Sequence, residues 1–169
     1  MGLAEVKKEL KKLDKDKLIT VISDLYKMNK SVKEFLDHFA NPDENMLFSK
    51  YRQKVYEAFY PKRGYDFKLK DGKQAISDFK KLAPSAELVA DLMLFYVETG
   101  VEFTNDFGDI NEAFYSSIET TYAAALKLME KENLLDKFAD RAEMVIVNLD
   151  EIGWGFEECL SNIYSNYYS

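Results

Sequence analysis

The chain predicts an all-α fold, either an antiparallel helical bundle or a short solenoid-like array of about eight to nine helices. Three observations carry this reading. Apolar residues recur at spacings of three and four over most of the 169 residues. The prolines, Pro42, Pro61 and Pro84, all fall between periodic segments. No pair of alternating segments is joined by a hairpin turn.

The elements follow in order. Asp14 caps a helix from Lys15 to about Met28, on which Leu18, Ile22, Leu25 and Tyr26 share a face. Ser31 and Glu34 form a capping-box pattern for a short next helix. Asn41, Pro42, Asp43 and Glu44 start another, because proline suits a first turn and acids suit its dipole. That helix reaches about Tyr60. Asp71 and Gln74 open the next, which Pro84 ends, and Ser85 caps the one after it. Asp109 and Glu112 box a helix with Phe114, Ile118, Tyr122, Ala125 and Met129 on one stripe. A further helix covers about 135–149, with Gly153 as its terminator. A last helix presents Phe156, Leu160, Ile163, Tyr164 and Tyr167 on one side. One helical domain over 1–169 is expected. The long non-helical stretch 61–70 offers a division into an N-terminal lobe, 1–60, and a helical array, 71–169.

Composition fits a folded protein: 47% hydrophobic, 31% charged and 14% aromatic residues. No stretch approaches the ~20 apolar residues of a membrane span. The one cysteine, Cys159, excludes an internal disulfide, and a reducing cytoplasm is the expected compartment. Charge is unevenly distributed. Residues 1–81 carry 19 cations against 13 acids, net +6, whereas residues 82–169 carry 4 against 17, net −13. Such asymmetry points to an outside partner or to docking of one part of the protein on another.

Residues 87–109 hold the acidic feature. At about 100° per residue, Glu98, Glu102 and Asp106 fall within about 60° of Asp91, so the carboxylates form one stripe on an apolar helix. Three readings stay open: a solvated face, pairing with the protein's own cations, or a metal or catalytic carboxylate site. A di-iron bundle needs Glu-x-x-His pairs, and the single His38 does not supply them. The run 105–109 lacks the alternating ligands and closing Glu of a calcium loop. No cofactor is expected.

The stretch 59–68 interleaves rings with Lys62 and Arg63, a combination that can grip single-stranded nucleic acid. The acidic pI of about 4.9 makes nucleic acid an unexpected partner. Arg63 set against Glu98 or Glu102 accounts for stripe and charge split together, and is the preferred pairing. His38, between Phe35 and Phe39, reads as packed or exposed, not as a base. Cys159 has no activating neighbour in sequence and reads as structural. Trp154 and Phe156, with Gly153 and Gly155 beside them, are either a core plug or a partner anchor.

The segments 61–64, 88–110 and 153–156, with a similar N-terminal run 13–36, resemble a small uncharacterised bacterial family, a domain of unknown function. The resemblance implies a cytosolic bacterial helical protein and transfers no catalytic residues. The leading expectation is a non-enzymatic helical scaffold or interaction module, with a protein partner or self-association and no membrane. Alternatives are a carboxylate-based metal-binding protein or hydrolase on 91–109, and nucleic-acid binding through 60–73. The binding or charge-pairing candidates are Glu98, Glu102, Asp106, Lys62, Arg63, Trp154 and Phe156.

Overall fold

The computed structural model describes residues 2–64, 66–149 and 155–168. These residues form nine α-helices and no strand: α1 Leu3–Leu10, α2 Lys15–Met28, α3 Lys30–Ala40, α4 Glu44–Phe59, α5 Leu69–Lys81, α6 Ala86–Phe107, α7 Glu112–Lys131, α8 Leu135–Val147 and α9 Phe156–Ser165. The all-α expectation holds, and among the described residues no helix is long and apolar enough to cross a membrane. The chain divides into two compact units, Met1–Asp43 and Glu44–Ser169. The division falls before α4 and not in the stretch 61–70. The reason is that α4 packs along both α5 and α6, and the Lys68 N–H bonds the Ala58 carbonyl at 2.6 Å.

In the first unit, Asp14 caps α2 through the Lys17 N–H at 2.8 Å. The cap of α3 is Asn29, whose side chain accepts from the Ser31 and Val32 N–H groups, in place of the expected Ser31. The Tyr26 hydroxyl of α2 donates to Asp37 of α3 at 2.7 Å. None of the three helices buries a residue.

The second unit consists of three helical hairpins, α4–α5, α6–α7 and α8–α9. Partners across the unit fix the directions. Glu44 meets Ser85, Arg52 lies over Phe95, and Tyr60 meets Asp106, so α4 and α6 run parallel. Lys137 meets Glu87 and Asn148 meets Asn105, so α8 runs parallel to both. Tyr115 packs on Phe156, and α9 follows α7 in the same way. One layer therefore holds α4, α6 and α8, and the returning helices form the other. This is the short solenoid-like alternative, in which each hairpin buries its apolar face on its neighbour.

Capping follows the same economy of polar groups. Ser85 accepts from the Leu88 N–H and starts α6, as expected. Asn111, not Asp109, caps α7 through the Phe114 N–H at 2.9 Å. The Asp109 carboxylate instead accepts from the Tyr115 hydroxyl at 2.5 Å, which braces the turn between α6 and α7.

The core between the first two hairpins is built of rings. Phe59 contacts Tyr96 at 4.9 Å, and Phe67 reaches back from the loop to Phe103 at 5.1 Å and Phe114 at 5.6 Å. Two glycines let the helices approach. A Cβ on Gly100 would lie 2.3 Å from Cδ1 and 2.9 Å from Cγ1 of Ile118, and one on Gly72 would lie 2.8 Å from the Tyr96 ring. Ile118 and Tyr96 are fully buried, so either would have to shift against packed neighbours. The polar tips of buried rings are satisfied, with Tyr96 bonded to Ser117 and Tyr122 donating to the Ala142 carbonyl, both at 2.8 Å.

Two outcomes follow for stability. Alanine is the better helix former by ~1 kcal/mol, yet Gly100→Ala should destabilise the protein by about 1–3 kcal/mol through overpacking. Chemical denaturation of Gly100→Ala, Ile118→Val and the double variant checks this, because removing the Ile118 Cδ1 should recover part of the loss. Burial pushes the Tyr96 hydroxyl up to about 12 from an ordinary 10.0, against the opposing pull of its Ser117 bond. From pH 10 upward the unfolded chain then gives up a proton that the folded chain keeps, so stability falls between pH 10 and 12. Denaturation across that window should show a shallower pH dependence in Tyr96→Phe than in the parent.

Candidate functional site

The acidic stripe is real, and most of it faces α8. The 22-residue α6 buries Leu92, Met93, Tyr96, Val97 and Phe103 and leaves Asp91, Glu98, Glu102 and Asp106 on a wetter side. Its opposite wall is α8, where Lys137, Arg141 and Val145 recur at helical spacing and Asn148 follows at the C-cap. Lys137 Nζ lies 2.7 Å from Glu87. Arg141 Nε and Nη2 donate to the two oxygens of Glu98, each at 2.9 Å, and Nη1 donates to Asp91 at 2.8 Å. One planar fork thus serves two carboxylates that stand two turns apart.

Burial works against the Arg141 charge, but the bonds to Glu98 and Asp91 outweigh it and hold the guanidinium above its ordinary pKa. The preferred partner of the stripe was Arg63, and the structure corrects this. Arg63 is exposed in the loop after α4, and Arg141 occupies Glu98 instead. Lys62, its neighbour, pairs with Glu57 at 2.5 Å. That bond, followed by one from Gln53, holds the Glu57 carboxyl below its usual range. The described rings of this loop are turned inward: Phe59 is buried, and Tyr60 and Phe67 are half-buried.

Beyond Arg141 the two helices enclose a groove of about 430 Å³ lined by Glu98, Val101, Glu102, Asn105, Asp106, Met144, Val145 and Asn148. The Arg141–Glu98 pair closes one end. At the other, Asn105 Nδ2 donates to the Asn148 carbonyl at 2.6 Å. Val101 and Val145 form a buried floor, while Met144, Glu102 and Asp106 are exposed. Asp106 accepts from the Tyr60 hydroxyl at 2.6 Å. Burial, that bond and the nearby Glu102 charge keep Tyr60 protonated far above the ordinary range. Among the described residues, no Lys or Arg pairs with Glu102 or Asp106. No group of three or more His, Cys, Asp and Glu side chains there is placed to hold a metal ion.

The remaining candidates separate cleanly. Phe156 is buried and packs on Tyr115 at 4.6 Å, which makes it a plug between α7 and α9 and removes it as a surface anchor. Gly155 before it takes φ 66°, the left-handed region open to glycine. Trp154 lies outside the described residues. Burial and then the neighbouring Glu119 carboxylate push the Cys159 thiol up, so it is less of a thiolate and fits its structural reading. His38 is half-buried on α3. Arg141 was missed in sequence. It is the one arginine after Arg63, four residues from Lys137 in a strongly acidic half, and that spacing was the signal.

Because the Arg141 pairs are part-exposed, their worth is modest. Arg141→Met should cost about 1–2 kcal/mol, Arg141→Lys less, since it keeps charge without the fork. Arg63→Met should change stability by no more than ~0.5 kcal/mol. Parallel denaturation of the three variants checks the reassigned pairing.

Comparison with curated proteins and comparison with solved structures each gave no match. A family model matches residues 1–167, nearly the whole chain. The chain belongs to that family, DUF6155, a family of unknown function.

Proposed function

We propose that the protein is a non-enzymatic helical interaction module or scaffold, whose N-terminal unit works by docking on another polypeptide. The observation that carries this is the state of α1–α3. Ile19, Ile22 and Leu25 of α2 are 51, 47 and 48% exposed, and Phe39 of α3 is 75% exposed. Chains of about 40 residues rarely build a sufficient core without a staple or a partner. This unit has no cysteine, and none of its described residues is buried. An apolar face of that kind is stabilised when something covers it.

Charge narrows the class of cover. Residues 1–43 hold nine lysines against eight acids, so the unit is nearly neutral. A nucleic-acid backbone or an anionic membrane gains little from a surface with mixed signs. A protein surface gains from its apolar stripe and from paired flanking charges. The cytosolic and bacterial setting implied by the family resemblance belongs to the same proposal.

Hydrogen exchange of the dilute purified protein tests the reading. Amides of α1–α3 should exchange far faster than those of α6 and α7, and should slow when a bound partner is present. Equal protection of α1–α3 and α6 in the dilute monomer would remove the proposal.

A further inference from the structure

The groove between α6 and α8 has a second, independent character. Its floor is apolar through Val101 and Val145, Met144 stands 45% exposed on one wall, and Glu102 and Asp106 line the other. Val147 and Phe107, each 63% exposed, extend apolar surface at the same end of the two parallel helices. Three of the four cations of this half are already placed: Lys137 on Glu87, Arg141 on Asp91 and Glu98, Lys131 on Glu132. None of these reaches the groove's outer carboxylates.

We propose that this groove docks a cationic amphipathic helix of a partner protein. An apolar side chain sits against Val101, Met144 and Val145, and lysines or arginines one turn away meet Glu102 and Asp106. Charge complementarity selects the occupant: residues 82–169 carry net −13, which repels nucleic acid and attracts a basic segment. Shape selects its form. Two helices side by side leave a trough that runs along their length, and a helix laid over it presents anchors at three- and four-residue spacing. A volume of about 430 Å³ takes the anchoring side chains and leaves the helix body, some 10 Å wide, outside. This extends the interaction-module reading but does not use α1–α3, so either can fail without the other.

The test is fluorescence anisotropy with a labelled synthetic helix of leucine and lysine in an amphipathic pattern. Two control peptides accompany it, one scrambled to spread its leucines and one with glutamate for lysine. The amphipathic cationic peptide should bind, more weakly as salt rises, and both controls should bind at least roughly tenfold worse. Met144→Asp and Glu102→Lys should each weaken binding by about tenfold. Both positions are exposed, so the variants should keep the parent's melting behaviour, which circular dichroism checks. A double change on other faces, Glu130→Lys with Glu143→Lys, should alter affinity by less than about threefold at moderate salt. Equal binding of the scrambled peptide, equal loss in the Glu130 and Glu143 control, or no binding at all would overturn the proposal. Hydrogen exchange of α1–α3 should be unchanged by the groove variants, which separates a failure here from a failure of the first reading.

Discussion

The axial register of the third hairpin is tuned by one guanidinium set beside a buried apolar seam. Arg141 reaches from α8 to Asp91 and Glu98, residues about 10 Å apart along α6 at 1.5 Å per residue. Only a forked donor can satisfy both. With Lys137 against Glu87 and Asn105 against Asn148, it fixes the axial register of α8 to within a turn. The floor of the groove depends on that register, because Val101 and Val145 face each other only when the ladder of polar contacts above and below is in step. The apolar core extends into the third hairpin through Phe138, Ala142, Val145, Phe156 and Leu160, and charge pairing sets the register in which that face docks.

The charge asymmetry looks different once the partners are known. Lys62 with Glu57 and Lys81 with Asp78 neutralise charge within the basic half, and the Arg141 and Lys137 pairs do so within the acidic half. These pairs do not tie the halves together. Two opposite surpluses therefore remain on one chain, and the larger is negative. The contact between Tyr60 and Asp106 crosses the halves as a neutral hydroxyl on a carboxylate, and leaves that acid's charge in place.

Much of the fold was legible because helix periodicity and punctuation agree. Asp14, Ser85 and the prolines mark the boundaries of α2, α4, α5 and α6. Caps failed where two candidates stood close together. Asn29 and Asn111 won over Ser31 and Asp109, and in the second case Asp109 was claimed by Tyr115, a tertiary contact that no local pattern contains. The stripe of acids was legible from spacing. Its partner was not, because pairing Arg141 with Glu98 spans 43 residues and requires knowing that α6 and α8 run parallel. Likewise, the stretch 61–70 resembles a linker in composition, yet Phe67 anchors it in the core beside Phe103 and Phe114.

Stacked hairpins have a consequence for how the molecule comes apart. Each hairpin contacts chiefly its neighbours, so cooperativity is transmitted through interfaces of unequal strength and not through one undivided core. The first interface is a dense set of rings, with Gly72 of α5 closely approached by Tyr96 of α6. The second combines Phe156 and Leu160 with part-exposed ion pairs. An opening that costs less than global unfolding should therefore begin at α8–α9 and leave α4–α7 folded. High salt and loss of charge favour that opening far more than they disturb the ring-built interface. The groove belongs to the least cooperative part of the array, so its geometry is adjustable while the scaffold that carries it stays fixed.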